Sequence, residues 1–369
     1  MTTTTSEATP ANTPRLVELD VLRGIALIGV CVLNYHGYLI LRGGDDRLTS
    51  TVERIFNPWE GPLSTRFAAV FVTVAGMGIT LLAAKAVASR DPERISNVRW
   101  TLIRRGVLLY AFGYFLDWIW SGTILLYYGA FFLAGAALFT LHTRWIAAVG
   151  AVAAIAAAGV RWWALQRQTH GHDVGWLLNK PTIDPHSPRD QLITTFLRGT
   201  HPLLPWLAFL CLGIILGRML PFTLIARWQM AMAGVTLVLF GYLAEAGMPV
   251  HPILRSTDPF DRGLLYMVTA IGTTLTAISV LGWLADHTRS STVTEVLADT
   301  GSTTLTLYVG HVLVFDLVVD WLGWVEPGGV GTALTLALIY WVIAVAVSVE
   351  IHRHFRHGPL EWVYRKFSA

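Results

Sequence analysis

Charge is scarce in this sequence. Only 14% of its 369 residues are Asp, Glu, Lys or Arg, while 54% are hydrophobic; a soluble protein carries roughly 25% charged residues. A soluble fold would have to hide ten separate apolar runs in one core, and that reading is set aside. Cysteine is equally sparse. Cys31 and Cys211 both fall inside apolar runs, so neither a disulfide framework nor a metal site is indicated. No G-x-S-x-G elbow, P-loop, dinucleotide fingerprint or H-E-x-x-H motif occurs. The formal charge of +3 is mild, and no basic patch interleaved with stacking aromatics points to a nucleic-acid partner. Residues 1–14 lack the positive segment and cleavage site of a signal peptide and read as a disordered tail.

What is present is a series of apolar runs near the ~20 residues that cross a bilayer. Ten are counted, at about 22–41, 64–88, 101–120, 123–141, 145–166, 202–220, 228–247, 263–285, 302–322 and 331–351. The fold class is an all-α, polytopic membrane bundle of about ten helices over residues 15–351, flanked by the 1–14 tail and a basic 352–369 tail. Basic residues cluster at 85–105 (Lys85, Arg90, Arg94, Arg99, Arg104, Arg105). By the positive-inside rule this puts both termini in the cytoplasm of an inner or plasma membrane, with membrane lipids as partners. Two long loops, 42–63 and 167–201, then lie outside. Both carry Trp and Asp among prolines, and the second carries His as well, which suits a substrate-facing cap. The second loop separates two five-span halves that show no convincing repeat.

The stretch from Arg15 to Tyr38 is polar at both ends of an apolar helix. Asp20 and Arg23 lie three apart on one face. Asn34 and His36 emerge about 13 residues, or ~20 Å, beyond Arg23. His36 reads either as a general base, since imidazole titrates near neutrality, or as a membrane-interface histidine satisfied by water. Arg23 suits phosphate through its forked donors, or else forms an interface ion pair with Asp20. Arg104 and Arg105 are explained by topology alone or by the same anion. Asp117, near a span end, and Asp316 are intramembrane carboxylates and so candidates by default. Arg66 is placed to pair with Glu60 or Asp117. His311 heads a polar stripe with Tyr308 and Asp316, while His201 and Trp206 open the sixth run with a weaker claim. The His170–Asp173 cluster reads as a solvated loop, and the basic run after residue 351 as lipid-attracting.

Several stretches fall in a recognisable order: DVLRGIALIGVCVLN, STRFAAVFVTVAGMGITLL, RRGVLLYAFGYFLDWIWSGTILLYYGAFFLAG, GTHPLLPWLAFLCLGIILGR, GSTTLTLYVGHVLVF and HGPLEWVYRKF. Together they resemble the YeiB-like family of bacterial membrane proteins (domain of unknown function 418), from about Arg15 to Phe367. That family is grouped with the heparan-alpha-glucosaminide N-acetyltransferases among the transmembrane acyltransferases. The resemblance implies transfer of a short acyl group from cytoplasmic acyl-CoA, acetyl-CoA first, to an extracytoplasmic sugar or lipid-linked glycan. It implies no metal.

In the glucosaminide acetyltransferases a histidine in the first outer loop, just ahead of a Trp-x-Gly, is assigned to the chemistry. The corresponding stretch here, Phe56 to Gly61, has none. His36 at the mouth of the same loop is the expected replacement, with Asn34 and Asp117 beside it. Asp45, Asp46, Trp59, Glu60 and Arg66 are expected at the acceptor, and Arg23, Arg104, Arg105, Tyr308 and His311 around the donor. A second copy of the chain counts among the candidate partners. The rival readings are a transporter or flippase without chemistry, and a non-catalytic subunit of an envelope-assembly complex.

Overall fold

The computed structural model describes residues 16–178, 187–355 and 357–368. The 1–14 tail, Arg15, Arg356 and the middle of the 167–201 loop lie outside the described residues. All regular structure among the described residues is helical. In hydrocarbon each backbone N–H and C=O must be satisfied within its own segment, and helices meet that demand.

All ten apolar runs fold as helices. The first five are α1 (Val17–Leu41), α2 (Arg66–Ser89), α3 (Pro92–Leu116), α4 (Ile124–Leu138) and α5 (Thr143–Thr169). After the long loop come α6 (Leu203–Gly217), α7 (Leu224–Gly247) and α8 (Leu264–His287). An amphipathic helix without a hydropathy signal, α9 (Thr292–Ser302), precedes α10 (Thr304–Phe315), which continues as a π-helical stretch, Asp316–Trp321. Next is α11 (Val330–Phe355), and the chain then turns back as α12 (Pro359–Ser368).

Seven of these are long and apolar enough to cross a membrane: α1, α2, α5, α7, α8, α10 with its π extension, and α11. Pro188–Arg198 and α6, bent by 57°, would make an eighth as a broken pair. This is a multi-pass membrane protein, but ten full crossings are not what length and composition support. The two runs that fall short do so for plain reasons. Asp91 caps α3 and Pro92 occupies its first position, so the helix starts nine residues before the expected 101 and takes Glu93, Arg94, Arg99 and Arg104 into its first half. Helix α4 has 15 residues, too few to span by itself.

Helix α1 stands at the centre, packed against α2, α8, α9, α10 and α11. Leu27, Cys31, Tyr35 and Leu39, each four residues on, form a fully buried stripe. The crossing with α9 has no room for side chains: a Cβ on Gly301 would fall 1.7 Å from the Asp20 carbonyl oxygen. Near the start of α1, Arg227 of α7 donates to Glu18 (2.5 Å) and to Asp286 of α8 (2.6 Å). That triad ties three helices at one membrane face. Breaking such a buried pair by removing one partner leaves an uncompensated charge.

The close α1–α9 approach makes a direct prediction for thermal melting in detergent. Gly301→Ala lowers stability by about 1–3 kcal/mol, the usual cost of overpacking. Gly247→Ala, whose Cβ would meet open space, stays within about 0.5 kcal/mol. Equal melting of the two variants would show that α1 and α9 do not meet backbone to backbone.

Candidate functional site

Among the described residues two larger cavities lie between the helices, one toward each end of α1. The lower, about 260 Å³, is lined by Arg23, Arg105, Tyr128, Glu361, Tyr364 and Arg365 among others. The upper, about 490 Å³, is lined by Asn34, Arg42, Trp59, Asp117, Thr200 and His201 among others. Ile124 and Tyr308 line both.

The lower cavity is rich in guanidinium groups. Arg23 is held by Asp20 at 3.0 Å. Arg105 lies over the Tyr364 ring at 4.9 Å and donates from Nε to Ser368 Oγ at 3.1 Å. Arg365, on the exposed side of α12, has its pKa pulled below the usual value by the loss of water around it, with the neighbouring Arg105 charge adding to this. Three forked guanidinium groups therefore converge, a donor set that suits phosphate oxygens. Helix α12 closes this cavity by a specific bond. The Glu361 carboxylate accepts from the Leu305 (2.6 Å) and Thr306 (3.1 Å) amides and from Thr306 Oγ1 (2.5 Å), capping α10 from another helix.

The upper cavity takes its polar groups from three directions. From α1, Asn34 places Nδ2 3.2 Å from His311 Nε2. His311 Nδ1 faces the Tyr308 carbonyl, which can only accept, so Nδ1 carries the proton and Nε2 accepts from the amide. From the turn after α3, Asp117 accepts the Gly122 amide at 2.7 Å; Gly122, at φ +81°, suits a turn that side chains disfavour. From the start of α6 comes His201, edge-on to Trp206 at 4.5 Å and Tyr127 at 5.7 Å, its Nδ1 without a hydrogen-bond partner. Burial, and then the Arg262 charge, lower the His201 pKa to about 3. Arg262 itself donates to the Leu197, Arg198 (2.5 Å) and Gly199 (2.7 Å) carbonyls and so pins the segment that leads to Thr200 and His201. Aromatic walls complete the chamber. Tyr38 stacks on Trp120 at 3.5 Å, and Trp59 leans on Phe260 at 5.8 Å.

The structure brings together some of the residues expected from sequence and separates others. Asn34, Asp117 and Trp59 line the upper cavity, Arg23 and Arg105 the lower, and Tyr308 both. His36 is buried and lines neither; its Nδ1 donates to the Phe56 carbonyl at 2.8 Å, bracing the first loop. Its expected partner Asn34 is engaged instead with His311. His311 itself is enclosed among Tyr35, Trp120 and Tyr308 and lines neither cavity. Asp45 pairs with Arg47 at 2.7 Å on the surface, which pulls its pKa down to about 2. Asp46 and Glu60 are exposed outside the chamber. Arg66 pairs with neither Glu60 nor Asp117 but donates to Thr269 Oγ1 (2.9 Å) and lies over the Tyr266 ring. Arg104 lines neither cavity.

Arg365, Tyr364 and Glu361 were missed because the segment after the last span reads as lipid-attracting by its charge. The amphipathic pattern of PLEWVYRKFS, with Leu360 and Tyr364 packed on the core, was the available signal. Among the described residues no group of three His, Cys, Asp or Glu side chains is placed to hold a metal ion.

Two family models match the chain. The one described as heparan-alpha-glucosaminide N-acetyltransferase, catalytic, matches residues 15–246. The one described as protein of unknown function (DUF418) matches residues 215–369. A comparison with curated proteins gives no match. The first model takes in Arg23, Asn34, Arg105, Asp117 and His201; the second takes in Tyr308, Glu361 and Arg365. Each cavity draws on both.

His201 sets a pH dependence. Its folded pKa lies below the ordinary 6.5, so the unfolded chain binds the extra proton. The stability it contributes is complete above pH 6.5 and is lost as the pH falls toward about 3. Melting in detergent from pH 7.5 down to 4 is expected to show a steeper loss for the parent than for His201→Phe. Parallel curves would mean that His201 is not held neutral by burial.

Proposed function

The chain belongs to the family of the heparan-alpha-glucosaminide N-acetyltransferase catalytic domain, and from that premise we propose that it moves a short acyl group from cytoplasmic acyl-CoA, acetyl-CoA first, to an extracytoplasmic sugar or lipid-linked glycan. The observation that carries this reading is the pair of cavities, one cationic and one aromatic and polar, that meet at Ile124 and Tyr308. A thioester held by its phosphates in the lower cavity and an acceptor in the upper would face each other there.

The Lys85–Arg105 cluster sits on the same face as the lower cavity. This supports a cytoplasmic donor side in an inner or plasma membrane and cytoplasmic termini. In the lower cavity Arg23, Arg105 and Arg365 bind the CoA phosphates. In the upper, Trp59 and its aromatic neighbours hold the acceptor, with Asn34 orienting it through its bond to His311. The acceptor oxygen or nitrogen attacks the thioester carbon. A C–O or C–N bond forms, the C–S bond breaks, and the acceptor's proton passes by way of a base to the leaving thiolate.

We give the role of base to Asp117. His36 lines neither cavity, and His201, drawn down to about 3 by burial, is a poor proton acceptor near neutral pH. A second reading is favoured by the same geometry: two cavities meeting at a thin partition also suit a transporter. The two readings differ in whether the thioester is consumed.

Binding and turnover of acetyl-CoA by the detergent-purified protein test the proposal. Arg23→Ala, Arg105→Ala and Arg365→Ala are each expected to weaken binding by about tenfold, the scale of one charged hydrogen bond. Asp117→Asn is expected to keep binding and to lower turnover about 10²–10⁴-fold. Folded parent protein that binds no acyl-CoA at saturation would refute the donor assignment and turn attention to transport.

A further inference from the structure

The interval between the two cavities is bordered on both sides by two side chains, Tyr308 and Ile124. Tyr308 is 3% exposed, yet it borders both spaces. Its phenol oxygen accepts from the Ile124 amide at 3.1 Å and lies 3.2 Å from Thr123 Oγ1, which is fully buried. Thr123 and Ile124 begin α4, while Tyr308 belongs to α10. The phenol therefore bars the gap between two helices that otherwise part to form the cavities. The bar is braced from the upper side. The Tyr308 ring lies edge-on to His311 at 4.8 Å, and His311 is held by Asn34 at 3.2 Å. The turn that it closes against, residues 117–123, also presents Asp117.

We infer that Tyr308 is a gate: its bonds to Thr123 and Ile124 are the closed latch, and a group passes from one cavity to the other only when the phenol lets go. That the passing group is an acyl thioester rests on the function proposed above; the barrier itself does not. Tyr308 is thus a positioning residue whose work is exclusion. With the gate shut, water in the upper cavity cannot reach a thioester carbon in the lower one. With the gate removed, water replaces the acceptor. Its oxygen bonds to the acyl carbon, the C–S bond breaks, the thiol takes up the proton, and a free carboxylic acid leaves.

Sidedness of thiol labelling tests the gate without any turnover. Ala75 borders only the lower cavity and Ala68 only the upper, so Ala75→Cys and Ala68→Cys report on each. Cys31 and Cys211 are both buried, and the parent chain supplies their background. Oriented membrane vesicles are treated with a charged, membrane-impermeant methanethiosulfonate from the upper-cavity face. In Tyr308→Ala, labelling of Ala75→Cys from that face is expected to rise at least about tenfold over the Tyr308 parent. Ile124→Ala, the other half of the partition, is expected to act in the same direction. An unchanged rate in both variants, with Ala68→Cys labelled normally to show an intact fold, would overturn the gate. Opened labelling in a protein whose parent consumes no acyl-CoA would keep the gate and refute the acyltransfer reading. Where the parent does turn over, Tyr308→Ala is expected to release CoA thiol without acceptor, again by about tenfold over the parent; release that stays tied to acceptor would count against the gate.

Discussion

A polar side chain inside a bilayer has no water to fall back on, so it must find its partner on another helix. Helix α1 carries such groups at both ends, and the bundle is arranged around satisfying them. At one face Glu18 draws Arg227 from α7 and, through it, Asp286 from α8. At the other, Asn34 draws His311 from α10. Between them the apolar stripe from Leu27 to Leu39 fills the centre. Of the helices drawn to α1 in this way, α10 also borders both cavities, through Tyr308, while α7 and α8 border neither. The remaining walls come chiefly from α1 itself, α2 and the α3–α4 pair with its turn.

The same economy explains why the chemistry-bearing groups are so unevenly exposed. His36 and Arg66 are spent on holding backbone and neighbouring side chains, and each contributes to the walls only through what it holds. Asn34 is different: one bond fixes its amide, and the residue still borders the upper chamber. Arg105 is similar below, braced by Tyr364 and Ser368 yet open to the lower cavity. A residue can serve a ligand where its own fold duties leave part of it unspent.

The helices were legible in the sequence because hydrocarbon imposes one backbone solution on any long apolar run. Helix α9 was not, since it is a polar-faced helix whose burial depends on Gly301 meeting α1. Nor was the role of α12, because the partner of Glu361 is the end of α10, some 55 positions away. The choice between histidines shows the limit most clearly. His36 is two residues from Asn34 and was expected to be its partner, but two steps along a helix point to nearly opposite sides. His311, 277 positions away, supplies the bond. Arg23, Arg105 and Asp117 could be picked out because charge at the edge of a span is costly anywhere. Their convergence on two separate spaces could not be read from hydropathy.

Gly301 lets α1 and α9 touch backbone to backbone, and this sets how the molecule can move. Two helices so joined can neither roll nor slide past each other, so they and the α10 that follows behave as one rigid block. The tightly interleaved pair α3 and α4, where Gly113 and Gly129 admit similar close approaches, forms a second block. Such blocks rotate as wholes. The seam between them runs past Thr123 and Tyr308, and α12 bridges it at the lower chamber, bonded to α10 through Glu361 and to α3 through Arg105, so the α3–α4 pair is latched to the first block at that end.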